Sequence, residues 1–384
     1  MVVKNRVLLA LVILLVLSGA GLSFVSHAPN RLISGQGISL ISLVTGSVWW
    51  LLIPMVLLFA FAFFKQNVVL HWLTVLCAEL LLFGLLLLAA TTATHLAGGE
   101  ESLARTSLGG GFWLMGGVSI LIAVDSLSRA MVNPVWRSLA NVLLVLPVVI
   151  LLVTGQLDQL SLMKEYVNRQ DVFDDALWQH LQILLTTLVP AVLLGIPLGL
   201  FCFRSRRFQS IIFSTLNIIQ TIPSIALFGL LIAPLAGLAA AIPWLAEHGV
   251  SGIGLAPAII ALVLYALLPL VRNVVAGLES VPDSVVESAR GMGMTRSQLF
   301  FQVQIPIAMP LILSGIRIIA VQTVGLAVVA ALIGAGGLGA IVFQGLLSSA
   351  LDLVLLGVIP VIVMAVVVDS LFKFIVIFMD TSGR

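Results

Sequence analysis

One polar stretch between two apolar runs, Glu279–Pro310, holds the residues whose types and spacing point most directly to work. Within it Glu287-Ser288-Ala289 is followed by Gly293 and, further on, by Val303, Ile305 and Pro306. Ser280 with Asp283 makes an N-cap pair, and Pro282 suits a first turn. Gly291 and Gly293 stop that helix before a second short one begins at Thr295. A short helix with small residues on one side can sit closely against a neighbouring surface, and a glycine bend behind it can transmit movement. The chemistry implied is mechanical rather than covalent. The competing reading is a solvated amphipathic loop.

Other polar groups lie inside apolar runs, where an ionisable residue costs about 2.5–3.5 kcal/mol and so calls for a reason. Gln220, Thr221 and Ser224 gather beside Pro223, which bends its run and frees a carbonyl, so they are candidates to line a polar path. Arg317, with Gln322 and Thr323 on the same run, either lines such a path or bonds to neighbouring helices. Asp369 and Lys373, four residues apart, read as a structural ion pair, and Glu79 and Asp125 as structural or interfacial groups. Gly334-x-Gly336-Gly337-x-Gly339 contains a dinucleotide-binding spacing but follows an apolar run rather than a strand, so it reads as close packing or an external gate loop. There is no Walker A sequence, so no phosphate-binding loop of that kind is assigned to this chain. No Ser/His/Asp set, metal-ligand pair or paired carboxylates converge in the apolar runs, and no catalytic or metal-binding residue is assigned. Cys77 and Cys202 read as free thiols.

The elements that must position these groups are membrane helices. Hydrophobic residues make up 61% of the chain and charged ones 9%, with a mean hydropathy of +1.23, far outside the range of a soluble domain. Runs of about 20 residues, enough to cross a hydrocarbon core of about 30 Å, recur throughout. They predict an all-α integral membrane protein of about ten transmembrane helices, near 7–25, 47–64, 69–93, 112–128, 138–155, 179–203, 209–233, 255–275, 309–332 and 353–378. The second is short for a perpendicular crossing. The first resembles a secretory signal ending at Ser26-His27-Ala28, but Pro29 would hinder cleavage, so a retained helix is expected.

A net charge of +2 gives no reason to expect a nucleic-acid partner. The distribution of basic residues says more, because short cytoplasmic loops collect them. With the N-terminus inside, Lys4, Arg6, Lys65, Arg129, Arg137, Arg204, Arg206, Arg207, Arg272, Arg290, Arg296, Lys373 and Arg384 fall on the cytoplasmic side. Only Arg31, Arg105, Lys164 and Arg169 fall outside. Both termini are therefore expected on the cytoplasmic side of the membrane. The most polar segment divides the chain into an accessory transmembrane region of about five helices (1–160), a periplasmic polar linker (161–178) and a transport core (179–384) with its loop at 279–306.

The loop resembles that of the inner-membrane components of binding-protein-dependent ABC importers, whose pattern is E-A-A, three residues, G, nine residues, then I-x-L-P. Here Ser288 replaces the first Ala, Val303 the Ile and Ile305 the Leu. Gln220–Leu227, Gly252–Leu262, Leu264–Pro269 and Ile333–Gly339 resemble the glycine betaine, carnitine and choline branch of these permeases, and the resemblance covers about residues 175–380. The extended N-terminal half is similar to that of the larger, Yeh-type permeases. The resemblance implies a type I, MetI-like permease core in which Glu287, Ser288, Ala289, Gly293, Ile305 and Pro306 couple to an ABC ATP-binding subunit. It also implies a second permease subunit, either a shorter homologue or a copy, a periplasmic solute-binding protein, and a quaternary-amine solute. ATP and Mg belong to the partner ATPase, and no cofactor to this chain. The rival expectation is an ion-coupled secondary transporter of a small polar solute, which should carry a midplane ionisable relay.

Overall fold

A computed structural model of the chain describes residues 3–30, 33–44, 49–99 and 103–381 and separates into two compact units, Met1–Asn168 and Arg169–Arg384. Arg31 and Arg384 of the charge tally lie outside the described residues. Eight described helices are long and apolar enough to cross a membrane, and Arg6–Gly21 and Trp49–Phe61 are shorter apolar helices.

In the first unit α1 (Arg6–Gly21) starts where the Asn5 side chain accepts the Leu8 N–H at 3.0 Å, meeting one of the donors that a helix start leaves unpaired. The span predicted to run to residue 25 ends at Gly21, because the next segment is a strand. β1 (Ser23–Ala28) pairs antiparallel with β2 (Gln36–Ser39) and with β3 (Arg105–Leu108), in the order β2-β1-β3. This small sheet was not foreseen; it supplies hydrogen-bond partners for backbone that no helix could satisfy. Phe24 is buried against Phe112, ring centroids 5.8 Å apart and edge-on. Gly109 permits that junction, since a Cβ there would lie 2.2 Å from the Ser23 carbonyl oxygen.

The remaining elements of this unit are α2 (Leu40–Leu43), α3 (Leu52–Phe61), α4 (Val68–Ala97), α5 (Gly110–Ala130), α6 (Pro134–Leu143), α7 (Leu146–Val153) and α8 (Ser161–Asn168). α4 packs on α5, with α1 against α5 and α3 against α4. Leu15, Leu81, Leu85, Met115 and Ile122 are fully buried in the shared core. The short second span proves to be α3 with one preceding 3-10 turn, Trp49–Leu51. The fifth predicted span is α6 followed by α7, which together make one of those eight crossings, Val135–Val153, with Pro147 in the first turn of α7. The N–H groups of Lys4 and Asn5 both donate to the Ala62 carbonyl, at 2.9 and 3.0 Å, so α1 begins beside the end of α3. Lys164 donates to the Ala104 carbonyl at 3.3 Å; burial, then the Arg105 charge, hold its ammonium below the usual lysine range. Arg129 and Asp125 pair at 2.9 Å, whereas the half-buried Glu79 has an Oε1 without a partner among the described residues. Cys77 and Cys202 are free and buried.

The second unit contains α9 (Gln170–Arg204), α10 (Arg206–Thr221), α11 (Ser224–Ala241), α12 (Pro243–Glu247), α13 (Leu255–Glu279), α14 (Asp283–Gly291), α15 (Arg296–Gln298), α16 (Ile305–Ala330), α17 (Leu338–Leu347) and α18 (Leu351–Thr381). The polar segment 161–178 is mostly helical, shared between α8 and the start of α9. α9, α13 and α16 pack into a trunk. Gly195 and Gly199 let it close: a Cβ at either would lie 2.6 Å from Leu270 Cδ2 or Val274 Cβ on α13. The span predicted as one helix over 209–233 is two, α10 and α11. Pro223 lacks an N–H and pushes its predecessor out of helical geometry, and Ile222 is accordingly extended, with φ −69° and ψ 127°.

Candidate functional site

α13 ends with the Ser280 hydroxyl donating to the Gly277 carbonyl at 2.8 Å. Ser280 therefore closes the preceding helix and does not cap α14, which begins at Asp283 behind Pro282 with no side-chain cap. The expected Ser280–Asp283 cap pair is corrected on that point. Glu287, Ser288 and Arg290 are exposed along α14, while Ala289 is buried, so the small residue faces inward and the carboxylate outward. Gly293 stops the helix with φ +82°, its N–H donating to the Arg290 carbonyl at 2.9 Å, and Met294 reaches back to Ala289 at 3.2 Å. These two bonds satisfy carbonyls that a helix end would leave open.

Thr295 then starts α15 through a reciprocal capping box: the Gln298 N–H donates to the Thr295 hydroxyl at 3.3 Å, and the Thr295 N–H to Gln298 Oε1 at 2.9 Å. A π turn, Leu299–Gln304, leads without a break into α16, whose first residues are Ile305 and Pro306. The Arg204 guanidinium at the end of α9 lies 5.4 Å from the Phe300 ring centroid, tying the turn to a second trunk helix. Met292 and Phe301 are 72% and 65% exposed, so the outer side of the loop presents apolar as well as charged groups. Such a surface, held by closely spaced local bonds, suits docking on another protein.

At the other end of the same helices, Gly334, Gly336 and Gly337 all have positive φ, at +82°, +77° and +73°. The turn they form is pinned from three sides. Gly254, at the start of α13, donates to the Ile333 carbonyl at 2.7 Å; Gly337 donates to Gln179 Oε1 on α9 at 3.0 Å; and Gly339 approaches α16 so closely that a Cβ would lie 2.1 Å from the Val328 carbonyl oxygen. Next to Gln179, the fully buried His180 places Nε2 3.1 Å from the Val324 carbonyl. Gln179 and His180 were not singled out from the sequence. The available signal was a histidine inside an otherwise apolar run.

Between the two ends, the structure distributes the polar path candidates. Gln220 Nε2 donates to the Tyr265 carbonyl at 3.0 Å, and the Tyr265 hydroxyl donates to the Ile222 carbonyl at 2.5 Å. The pair braces the break at Pro223 by meeting a carbonyl freed there. Thr221 bonds back to Ile218 at 2.7 Å, and Ser224 is the half-buried first residue of α11. On α16 Thr323 is buried and Gln322 half-buried. Arg317 Nε meets Asp369 Oδ1 at 2.5 Å, and Lys373 Nζ meets the other oxygen of the same carboxylate at 2.6 Å. Arg317 thus joins Asp369 and Lys373 in one cluster rather than standing alone.

Residues 191–379 match the family described as binding-protein-dependent transport system inner membrane component, and residues 4–163 match the N-terminal domain of ABC transporter permease YehY. The carnitine transport permease protein OpuCB of Listeria monocytogenes is 41% identical over 192 residues, covering 50% of this chain and 81% of that protein. The osmoprotectant import permease protein OsmW of Salmonella typhimurium is 36% identical over 206 residues, covering 54% of this chain and 91% of that protein. Among solved structures, an inward-facing conformation of the MetNI methionine ABC transporter aligns with a TM-score of 0.49 and 22% identity, over 55% of this chain and 98% of that one.

Proposed function

The chain belongs to the binding-protein-dependent transport-system inner membrane components, and on that footing we propose that it is the permease through which an ATP-driven importer moves glycine betaine or a related quaternary-amine solute across the inner membrane. The observation that carries the reading is the exposed helix α14 with its Gly293 turn, set between α13 and α16 and bearing Glu287-Ser288-Ala289 at the family spacing. α14 docks in a groove of a separate ATP-binding subunit, which holds ATP and Mg and does the hydrolysis. Glu287 meets basic or amide groups there, a charge-assisted contact stronger than a neutral one.

A second permease, homologous or identical, completes the path, and a periplasmic binding protein delivers the solute. Both termini lie in the cytoplasm, as the basic residues require, which puts α14 inside and the Gly334–Gly339 turn outside as a gate. Closure of the ATPase pair draws the coupling helices together and rocks the trunk helices between inward- and outward-facing states. The accessory region 1–160 is not part of the path, whose polar candidates are Gln220, Thr221, Ser224, Arg317, Gln322 and Thr323.

The test is uptake of radiolabelled glycine betaine by proteoliposomes holding the permease with its ATPase and binding protein. Uptake should require ATP and should fall, together with solute-stimulated ATPase activity, in Glu287→Lys. Uptake driven by a Na⁺ or H⁺ gradient without ATP would overturn the reading in favour of an ion-coupled transporter.

A further inference from the structure

Two adjacent residues of α9 face one backbone donor of the glycine turn. Gln179 Oε1 accepts the Gly337 N–H at 3.0 Å. His180 is fully buried, and its Nε2 lies 3.1 Å from the Val324 carbonyl. A carbonyl oxygen only accepts, so Nε2 carries the hydrogen, and in the neutral ring Nδ1 is a bare acceptor. That nitrogen is buried, has no donor among the described residues, and faces Gly337, where a Cβ would come within 3.1 Å of it. The turn is therefore held by one acceptor while it abuts a second that is left unmet. Leaving a buried lone pair without a donor disfavours an arrangement by a factor on the order of ten. Gly337 has no side chain to block a swing, and its left-handed φ of +73° already lies where glycine alone is at ease.

We propose that Gln179 and His180 are opposed positioning residues of the gate: Gln179 holds the Gly337 N–H in the arrangement seen here, and His180 Nδ1 accepts it in the alternative one. One donor between two acceptors makes a bistable element, and the glycine turn takes one of two discrete positions on α9. The bond to Val324 fixes the ring, so Nδ1 stays aimed at the turn in both. The orphaned acceptor offsets part of what Gln179 gains, which keeps the two positions close in free energy and lets a modest bias choose between them. The proposal rests on reading this chain as an importer permease whose glycine turn is the external gate.

The test uses the complete transporter in proteoliposomes. Gln179 is exposed, so Gln179→Ala and Gln179→Glu are tolerated sterically. The first removes the present acceptor and the second strengthens it. Gln179→Ala should raise ATPase activity without binding protein several-fold, because the alternative position is freed. Gln179→Glu should lower uptake by about tenfold. His180→Gln keeps an amide donor for Val324 and removes the Nδ1 acceptor, and it should lower maximal uptake about tenfold with the half-saturating concentration of loaded binding protein unchanged. A merely structural role predicts that all three variants lose activity in the same direction. ATP-driven uptake by the wild type with the two Gln179 variants shifting together would overturn this proposal alone. A wild type without ATP-driven uptake would overturn its premise, and the proposal with it.

Discussion

Substitution of Gly293 separates two accounts of the loop. Its φ of +82° lies in the left-handed region, which disfavours an ordinary L residue by about 1–2 kcal/mol. A Cβ built there meets nothing within 4 Å, so inside this chain the cost is backbone strain without a clash. Gly293→Ala should then lower the ratio of formed to open turn by about 5- to 30-fold. Gly293→Asn, whose short polar side chain tolerates that region, should reduce it less. A free loop therefore predicts that Asn transports better than Ala. A docked loop predicts the inverse order, since the larger side chain projects into the space the ATPase groove would fill. The assay is ATP-driven uptake and solute-stimulated ATPase activity, at equal amounts of assembled complex. We expect both to fall together and further for Asn than for Ala, with Gly293→Asp at least as severe as Asn. Near-normal coupling in Gly293→Asn alongside an impaired Gly293→Ala would refute docking of this turn.

Tyr265→Phe removes the donor that meets the Ile222 carbonyl at the Pro223 break; it should cost about 1 kcal/mol and lower the melting temperature by a few degrees, and an unchanged transition would show that the carbonyl finds another donor. Gly199→Leu forces a side chain onto Val274, 2.6 Å from the added Cβ. Overpacking of about 1–3 kcal/mol should reduce the monodisperse fraction in detergent, whereas Gly229→Leu, with nothing within 4 Å, should not. Asp369→Asn strips the carboxylate from between Arg317 and Lys373 and should lower the yield of folded protein more than Lys373→Gln does; equal yields would show that the cluster does not support folding.

What could be read from the sequence followed from period, charge and spacing. Apolar runs identified most crossings because the bilayer demands a fixed length of hydrophobic helix. The loop at Glu287–Gly293 stood out because its spacing repeats a family pattern, and Thr295 and Gln298 cap α15 as short-range chemistry dictates. The misses are where long-range pairing decides. Nothing local in Ser23–Ala28 announces its strand, which needs β2 and β3 to exist. Ser280 has a good capping residue three positions on, yet its hydroxyl turns back to Gly277. Pro223 signalled a bend, but only the fold shows that Gln220 and Tyr265, 45 positions apart, close it. Arg317 meets Asp369 across 52 positions, a distance no spacing rule spans.

The trunk joins the two ends of the proposed device. α13 and α16 flank the loop that carries α14, and α9 reaches it through Arg204 over Phe300. The same three helices contact the glycine turn: α13 through Gly254, α9 through Gln179 and α16 through the Val328 backbone. Their mutual packing leaves no slack, since Gly195 and Gly199 lie against α13 and a Cβ at Gly315 on α16 would lie 2.6 Å from Asn273 Cβ on α13. Close-packed helices shift as bodies rather than flexing residue by residue. A push on α14 therefore needs no wire of individual contacts to reach the far side. In the proposed device it displaces a trunk about 37 Å long, at about 1.5 Å per residue of α13, and the turn at its other end takes a new seat. The weak links are then the two termini of the lever, and positive-φ glycines stand at both: Gly293 at one end, and Gly254, Gly334, Gly336 and Gly337 at the other.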